Sequence, residues 1–257
     1  LIEEAMKKEP VYDFKGDYDV QHTFFVVDND ELTKKITAAF GKLDALYVAD
    51  GHHRSAAAGR VAIERKEANP NHTGEEEYNF FLSVIFPDDQ MNILDYNRVI
   101  KDLNSLSKAE FMEKIKVSFE ITPVEDGSPY KPETLHTFGM YIDGSWYKLE
   151  AREKSFNAED PIGSLDVAIL QDNLLSPLLG IGNPRTDERI SFVGGIRGLQ
   201  HLADLVDNGT FAVAFSLFPT TISQLLNVAD ADKVMPPKST WFEPKLASGV
   251  VVHLLDD

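Results

Sequence analysis

The chain has 257 residues, 42 acidic against 25 basic, for a formal net charge of −17, and it contains no cysteine. That charge opposes a broad contact with duplex nucleic acid. The missing thiols exclude disulfides, thiolate catalysis and cysteine-ligated zinc, and fit a reducing, cytoplasmic compartment. No apolar run reaches the roughly 18 residues of a membrane span, so a soluble α/β protein with a sizeable core is expected.

Leu1–Met6 drops straight into an amphipathic pattern and reads as the end of a helix. His22–Val27 alternates as a strand, and Asp28-Asn29-Asp30 caps a helix over 31–40 that Gly41 stops. Ala45–Ala49 has the length and make-up of a buried strand, followed by a helix from Ser55 to about Asn69, ahead of Pro70. The apolar run Asn79–Phe86 reads as a further strand. Met91–Ile100 starts extended, and Lys108–Lys116 has helical spacing behind Ser107. Phe119–Val124 and Gly139–Leu149 read as strands, the latter folded at Asp143-Gly144. The polar stretch Ala151–Pro161 suits a linker, dividing the chain into α/β regions 1–150 and 151–257 packed as one unit. Beyond it the spacing predicts helices over 165–179, 199–207 and 221–228, strands over 190–193 and 211–218, and an apolar tail over 250–255.

Four polar clusters could carry chemistry. Asp50-Gly51-His52-His53-Arg54 stands between the expected strand and helix, where outward N–H groups and the helix dipole favour an anion. Gly51 lets the backbone approach a phosphate, Arg54 offers a fork to its oxygens, and a histidine adds a donor. Asp50 could act as a general base or hold magnesium. A metal centre using Asp50 and His52 is a competing reading, as is simple helix capping with half-buried histidines. In Asp95-Tyr96-Asn97-Arg98, Arg98 could pair a phosphate or carboxylate and Asn97 orient a substrate, or the cluster could be a salt bridge beside a strand. Gly194-Gly195-Ile196-Arg197-Gly198 could cradle a phosphate but matches neither the dinucleotide fingerprint nor the P-loop, and a close strand-to-helix turn would need such glycines anyway. In the stretch from Met235 to Lys245, Pro236 and Pro237 fix a turn. Lys238, Ser239 and Thr240 then gather a cation and two hydroxyls, and Trp241 offers a flat face for a base or for the core. Gly-x-Ser-x-Gly and His-Glu-x-x-His signatures are absent.

The strings Tyr47–Arg54, Asn97-Arg98 and Val234–Phe242 together resemble the domain-of-unknown-function family 1015, and Leu165–Gly182 and Phe192–Pro219 read like it too. On that resemblance the chain looks like the C-terminal part of a longer family member. Its Asp50–Arg54 region is similar to that of free-serine kinases, which share a fold with nucleotide-binding ParB and sulfiredoxin. The resemblance therefore implies a ParB/sulfiredoxin-like core around this turn, with a C-terminal α/β region beside it. It places Gly51 and Arg54 on nucleotide phosphates, with Asp50 and His52 or His53 near the transferring group or its Mg2+. Asn97, Arg98, Lys238, Ser239 and Thr240 join the cofactor-binding set. Sulfiredoxin's own chemistry needs a reactive cysteine and is excluded.

The expected protein is a nucleotide- or phosphate-binding one, using Mg2+ with ATP or ADP, and kinase-like toward a small hydroxylated metabolite such as serine. A non-catalytic nucleotide-binding regulator and a metal-dependent hydrolase are the alternatives. Its partners are expected to be small molecules rather than duplex nucleic acid or membrane, with a homo-oligomer left open.

Overall fold

Near the start of the chain β1 (Tyr12–Lys15) pairs with β2 (Gln21–Phe24) in antiparallel register. Rings meet across the pair, Phe14 on His22 at 5.2 Å between centroids. The computed structural model describes residues 1–16, 19–243, 245 and 247–255. This strand pair belongs to the first of two compact units, Leu1–Val84 with Lys245–Asp257; the second is Ile85–Pro244.

The first unit also holds α1 (Ile2–Ala5), α2 (Asp30–Phe40) and α3 (His52–Ala68). Asn29 caps α2 by accepting from Leu32 N–H at 2.9 Å, and Asp30 and Glu31 sit in its first turn as the dipole prefers. Two expected strands do not form. Residues 45–49 and 80–86 are irregular, with Leu46, Tyr47, Val48, Phe80, Phe81, Leu82 and Val84 all exposed. A strand is stabilised by its ladder and by one covered face. Among the described residues neither segment is paired with a strand. The β-α-β-α run expected over 22–69 therefore lacks its second strand.

The second unit carries the sheet. β4 (Tyr96–Ile100), β5 (Phe119–Pro123), β6 (Thr137–Ile142), β7 (Ser145–Ala151), β8 (Ile190–Gly194) and β9 (Val213–Leu217) form one antiparallel sheet. Their order is β5-β7-β6-β9-β4-β8, and β3 (Asn92–Leu94) pairs separately with β10 (Trp241–Glu243). The predicted hairpin forms, with Asp143 (φ 49°) and Gly144 (φ 73°) both left-handed, as a two-residue turn requires.

Because neighbouring strand residues face opposite sides, the sheet is covered twice. On one face Ile100, Met140, Val213 and Phe215 pack with α4 (Lys108–Ile115) through Phe111 and Ile115, and with the segment 165–181. On the other, Val99, Tyr141, Val193 and Ala214 pack with Leu202, Ala203 and Val206 of α6 (Leu199–Asp207). Helices and strands alternate about an antiparallel sheet, a mixed α/β architecture.

Ser107 and Glu110 cap α4 reciprocally, and Thr221 and Gln224 do the same for α7 (Ile222–Asp230). The helix expected over 165–179 is shorter: α5 (Asp166–Leu170) runs on as a π-turn over Gln171–Leu175. Pro177 lacks an N–H, and Ser176 N–H instead reaches back five residues to Gln171. The division expected at residue 150 falls inside β7, and the stretch 151–161 starts as the end of that strand, paired with β5. Arg152 N–H donates to the Ser118 carbonyl there at 2.9 Å.

Candidate functional site

In the first unit, α3 begins on Gly51, which is left-handed (φ 85°, ψ 26°), a conformation natural to glycine. No side chain caps this end, and no acid occupies its first turn. His52, His53 and Arg54 stand there instead, all exposed. This inverts the arrangement at α2, because the Arg54 guanidinium is unfavourable at the positive end of a helix dipole. Arg54 folds back so that a Cβ on Gly51 would lie 3.2 Å from its Nε and Nη2. The guanidinium and the uncapped N–H groups of one turn are thereby concentrated at one place.

Asp50 accepts from Gly51 N–H at 2.7 Å and pairs with Lys245 at 3.3 Å. Partial burial pushes its carboxyl up, but the Gly51 hydrogen bond, Lys245 and Arg54 together outweigh this and hold it below the usual range. Asp50 is therefore an anion at neutral pH. Among the described residues no three His, Asp or Glu side chains gather as a metal centre, so a metal at Asp50 would have that carboxylate, at most one further such side chain, and whatever its ligand brings. The sequence does not mark Lys245 as a partner of this turn. It lies 195 residues from Asp50, and no local pattern marks such a pairing.

The remaining expected residues lie in the second unit, where the fold joins three of the polar clusters. A methyl group on Gly195 would overlap the Asp95 carboxylate, and one on Gly194 would come within 2.6 Å of Trp241. These glycines serve close approach, as the strand-to-helix reading of that loop expects. Asn97 is fully buried: its Oδ1 accepts from Leu217 N–H at 3.0 Å, and its Nδ2 donates to Asp95. Arg98, also buried, donates to the Tyr96 carbonyl and, at 3.0 Å, to the Lys238 carbonyl, and its guanidinium lies 5.4 Å from the Phe192 ring centre. Burial pushes its pKa down to about 9, with Tyr96 opposing, so it stays a cation at neutral pH.

Lys238 adopts φ 57° and holds its ammonium 5.6 Å over the Tyr96 ring. Ser239 is buried, its hydroxyl donating to the Pro236 carbonyl at 2.7 Å while its own carbonyl accepts from Thr220 at 3.1 Å. Thr240 leads directly into β10. Lys238 and Arg197 are exposed cations of this second cluster.

Among solved structures the chain is similar to a free serine kinase variant in complex with ADP. The two share 15% identity and a TM-score of 0.42, over 84% of this chain and 81% of that one. It is also similar to a conserved hypothetical protein from Pyrococcus furiosus, at 13% identity and a TM-score of 0.41, over 84% of each chain. No curated protein matches. The family described as "Protein of unknown function (DUF1015)" matches residues 1–168, which include Asp50–Arg54, Asn97 and Arg98 but not Lys238–Thr240, and the chain belongs to that family.

Proposed function

We propose that the Asp50–Arg54 turn binds the phosphate groups of a nucleotide, ADP or ATP with magnesium. We further propose that the protein transfers a phosphoryl group to a small hydroxylated metabolite such as serine. The observation that carries this reading is the start of α3. It is a 17-residue helix with a left-handed glycine, no side-chain cap and no acid in its first turn, and it places an arginine where the dipole disfavours a cation, beside two histidines. An anion relieves that disfavour and accepts the vacant N–H bonds at once.

In this reading Arg54 and the first-turn N–H groups hold phosphate oxygens. Magnesium, when bound, neutralises charge on the phosphates, and Asp50 fits it as a lone carboxylate of the kind this ion takes beside a nucleotide. His52 or His53 accepts the proton of the acceptor hydroxyl as its oxygen bonds to the terminal phosphorus of the nucleotide and the bond to the leaving group breaks, releasing ADP from ATP or AMP from ADP. Positioning and charge neutralisation do most of the work. In this proposal Arg98 acts by holding the Lys238 carbonyl, Asn97 by tying the Leu217 N–H to Asp95, and Ser239 by its bond to the Pro236 carbonyl, while Lys238 and Thr240 offer a phosphate contact within the second unit.

The test is calorimetric titration of ADP and ATP, with magnesium, into the wild-type chain and into Arg54→Ala. Binding that falls at least tenfold in the variant supports the turn. Equal binding by both proteins removes the turn from the reading, and absence of binding to the wild type overturns it. Turnover of the bound nucleotide in the presence of serine then separates a kinase from a regulator that only binds. Lys238→Ala is the matching test for the second cluster, where unchanged affinity sinks its assignment.

A further inference from the structure

Lys245 and the residues at the other end of its segment, His253 and Leu255, tie that segment to both ends of α3 as a strap. At one end of the helix Lys245 Nζ pairs with Asp50 Oδ2 at 3.3 Å. At the other, Arg65 Nη1 donates to the Leu255 carbonyl at 3.1 Å. His253 Nε2 also meets Glu77 at 2.7 Å, in the short turn that follows α3. The α3 path from Asp50 to Arg65 is about 22 Å long at the helical rise, and ten residues reach roughly 33 Å when fully extended, so the strap spans it with slack. All of these contacts lie within the first unit.

The Lys245–Asp50 pair is more than half exposed on the aspartate side, and such pairs add little to stability. Its consequence is electrostatic. Asp50 immediately precedes the turn proposed to take an anion, and its carboxylate already occupies the Gly51 N–H. Left alone, that charge repels phosphate from the uncapped end of α3. With Lys245 beside it the net local charge of the pair is zero, and the field at the turn is set by Arg54 and the helix dipole.

We propose that Lys245, delivered by the strap, is the counter-charge that makes the Asp50–Arg54 turn receptive to the phosphate oxygens of a nucleotide. It is a positioning residue that acts through Asp50 rather than on the ligand. The proposal rests on the phosphate-binding reading of the turn, and it makes occupancy of that turn depend on a segment nearly two hundred residues away. Displacement of the strap exposes Asp50 and lowers affinity with no change in Arg54 or the helix.

The experiment is a charge cycle in two readouts. Without ligand, the Asp50 carboxyl is titrated by NMR in the wild type and in Lys245→Ala; the variant's pKa should lie higher, and an unmoved pKa overturns the proposal. With metal-free ADP as the probe, Lys245→Ala should bind about fivefold more weakly and Asp50→Asn about fivefold more tightly than wild type. The double variant should return to within about twofold of wild type, because neither charge remains. A double variant as weak as Lys245→Ala means that Lys245 touches the ligand directly, and overturns action through Asp50. If ADP binds neither wild type nor Asp50→Asn while the Asp50 pKa still moves, the ion pair stands and the phosphate reading has failed, taking the counter-charge role with it.

Discussion

Asp166 enters the fold with one carboxylate oxygen bonded and the other bare. Its Oδ1 accepts from His136 N–H at 2.9 Å, whereas Oδ2 is buried without a partner. Burial pushes its pKa up to about 7, against the smaller opposing effect of that hydrogen bond. The folded state thus keeps a proton that the unfolded chain loses above about pH 4. Between that value and pH 7 the unfolded state binds fewer protons, so this residue's contribution to stability falls as pH rises and levels off above pH 7. Urea unfolding should show a decline on the order of 2–4 kcal/mol from pH 5 to pH 8 that Asp166→Asn largely removes. A wild-type curve flat across that range would refute it. Arg98 poses the opposite case, a buried cation whose hydrogen bonds end on carbonyls. Arg98→Ala leaves the Tyr96 and Lys238 carbonyls short of a donor and opens a hole, and should cost about 3 kcal/mol by the same measurement. Sequence marked Asn97 and Arg98 as polar residues beside a strand. That they face inward is a matter of register, which local composition does not encode.

Helix ends were the most legible elements. Asn29 and Ser107 each act where the sequence expects a cap, and Thr221 caps α7, because capping is a contact between residues two or three apart. Thr221→Ala should therefore cost about 1 kcal/mol in thermal or urea unfolding, with loss of the Gln224 half of the box as well. A change near zero would mean that packing alone holds α7. The loop at Gly194-Gly195 was readable as a strand-to-helix turn, but not as the point where three clusters meet. Gly195→Ala overlaps the Asp95 carboxylate and should cost about 1–3 kcal/mol as an overpacked contact, whereas an alanine at Gly182 meets no atom within 4 Å. Equal stability of the two variants would show that the Asp95 side chain yields freely. Residues 45–49 and 80–86 misled for the converse reason. Their composition suits strands, and strand formation depends on a neighbour that no window of sequence reveals.

At the scale of the whole chain, buried apolar side chains concentrate in the second unit. There two clusters line the two faces of the six-stranded sheet, whereas the first unit buries Ala5, Leu32 and Tyr78. Amide exchange should therefore be slowest in β4, β6 and β9, and fastest in residues 45–49 and 80–86. A fragment spanning 85–244 should unfold in one cooperative transition when expressed alone, as a unit with its own core does. Non-cooperative melting of that fragment would show that its core needs the rest of the chain. By itself the sequence determined the mixed α/β class, the hairpin at Asp143-Gly144, the capped helices and the Asp50–Arg54 turn, all set by contacts within a few residues of one another. Tertiary structure alone decided which apolar runs became strands, the order β5-β7-β6-β9-β4-β8, the burial of Asn97 and Arg98, and the arrival of Lys245 at Asp50. Each of those depends on which distant segments exclude water together, and that free energy belongs to the assembled fold rather than to any stretch of chain.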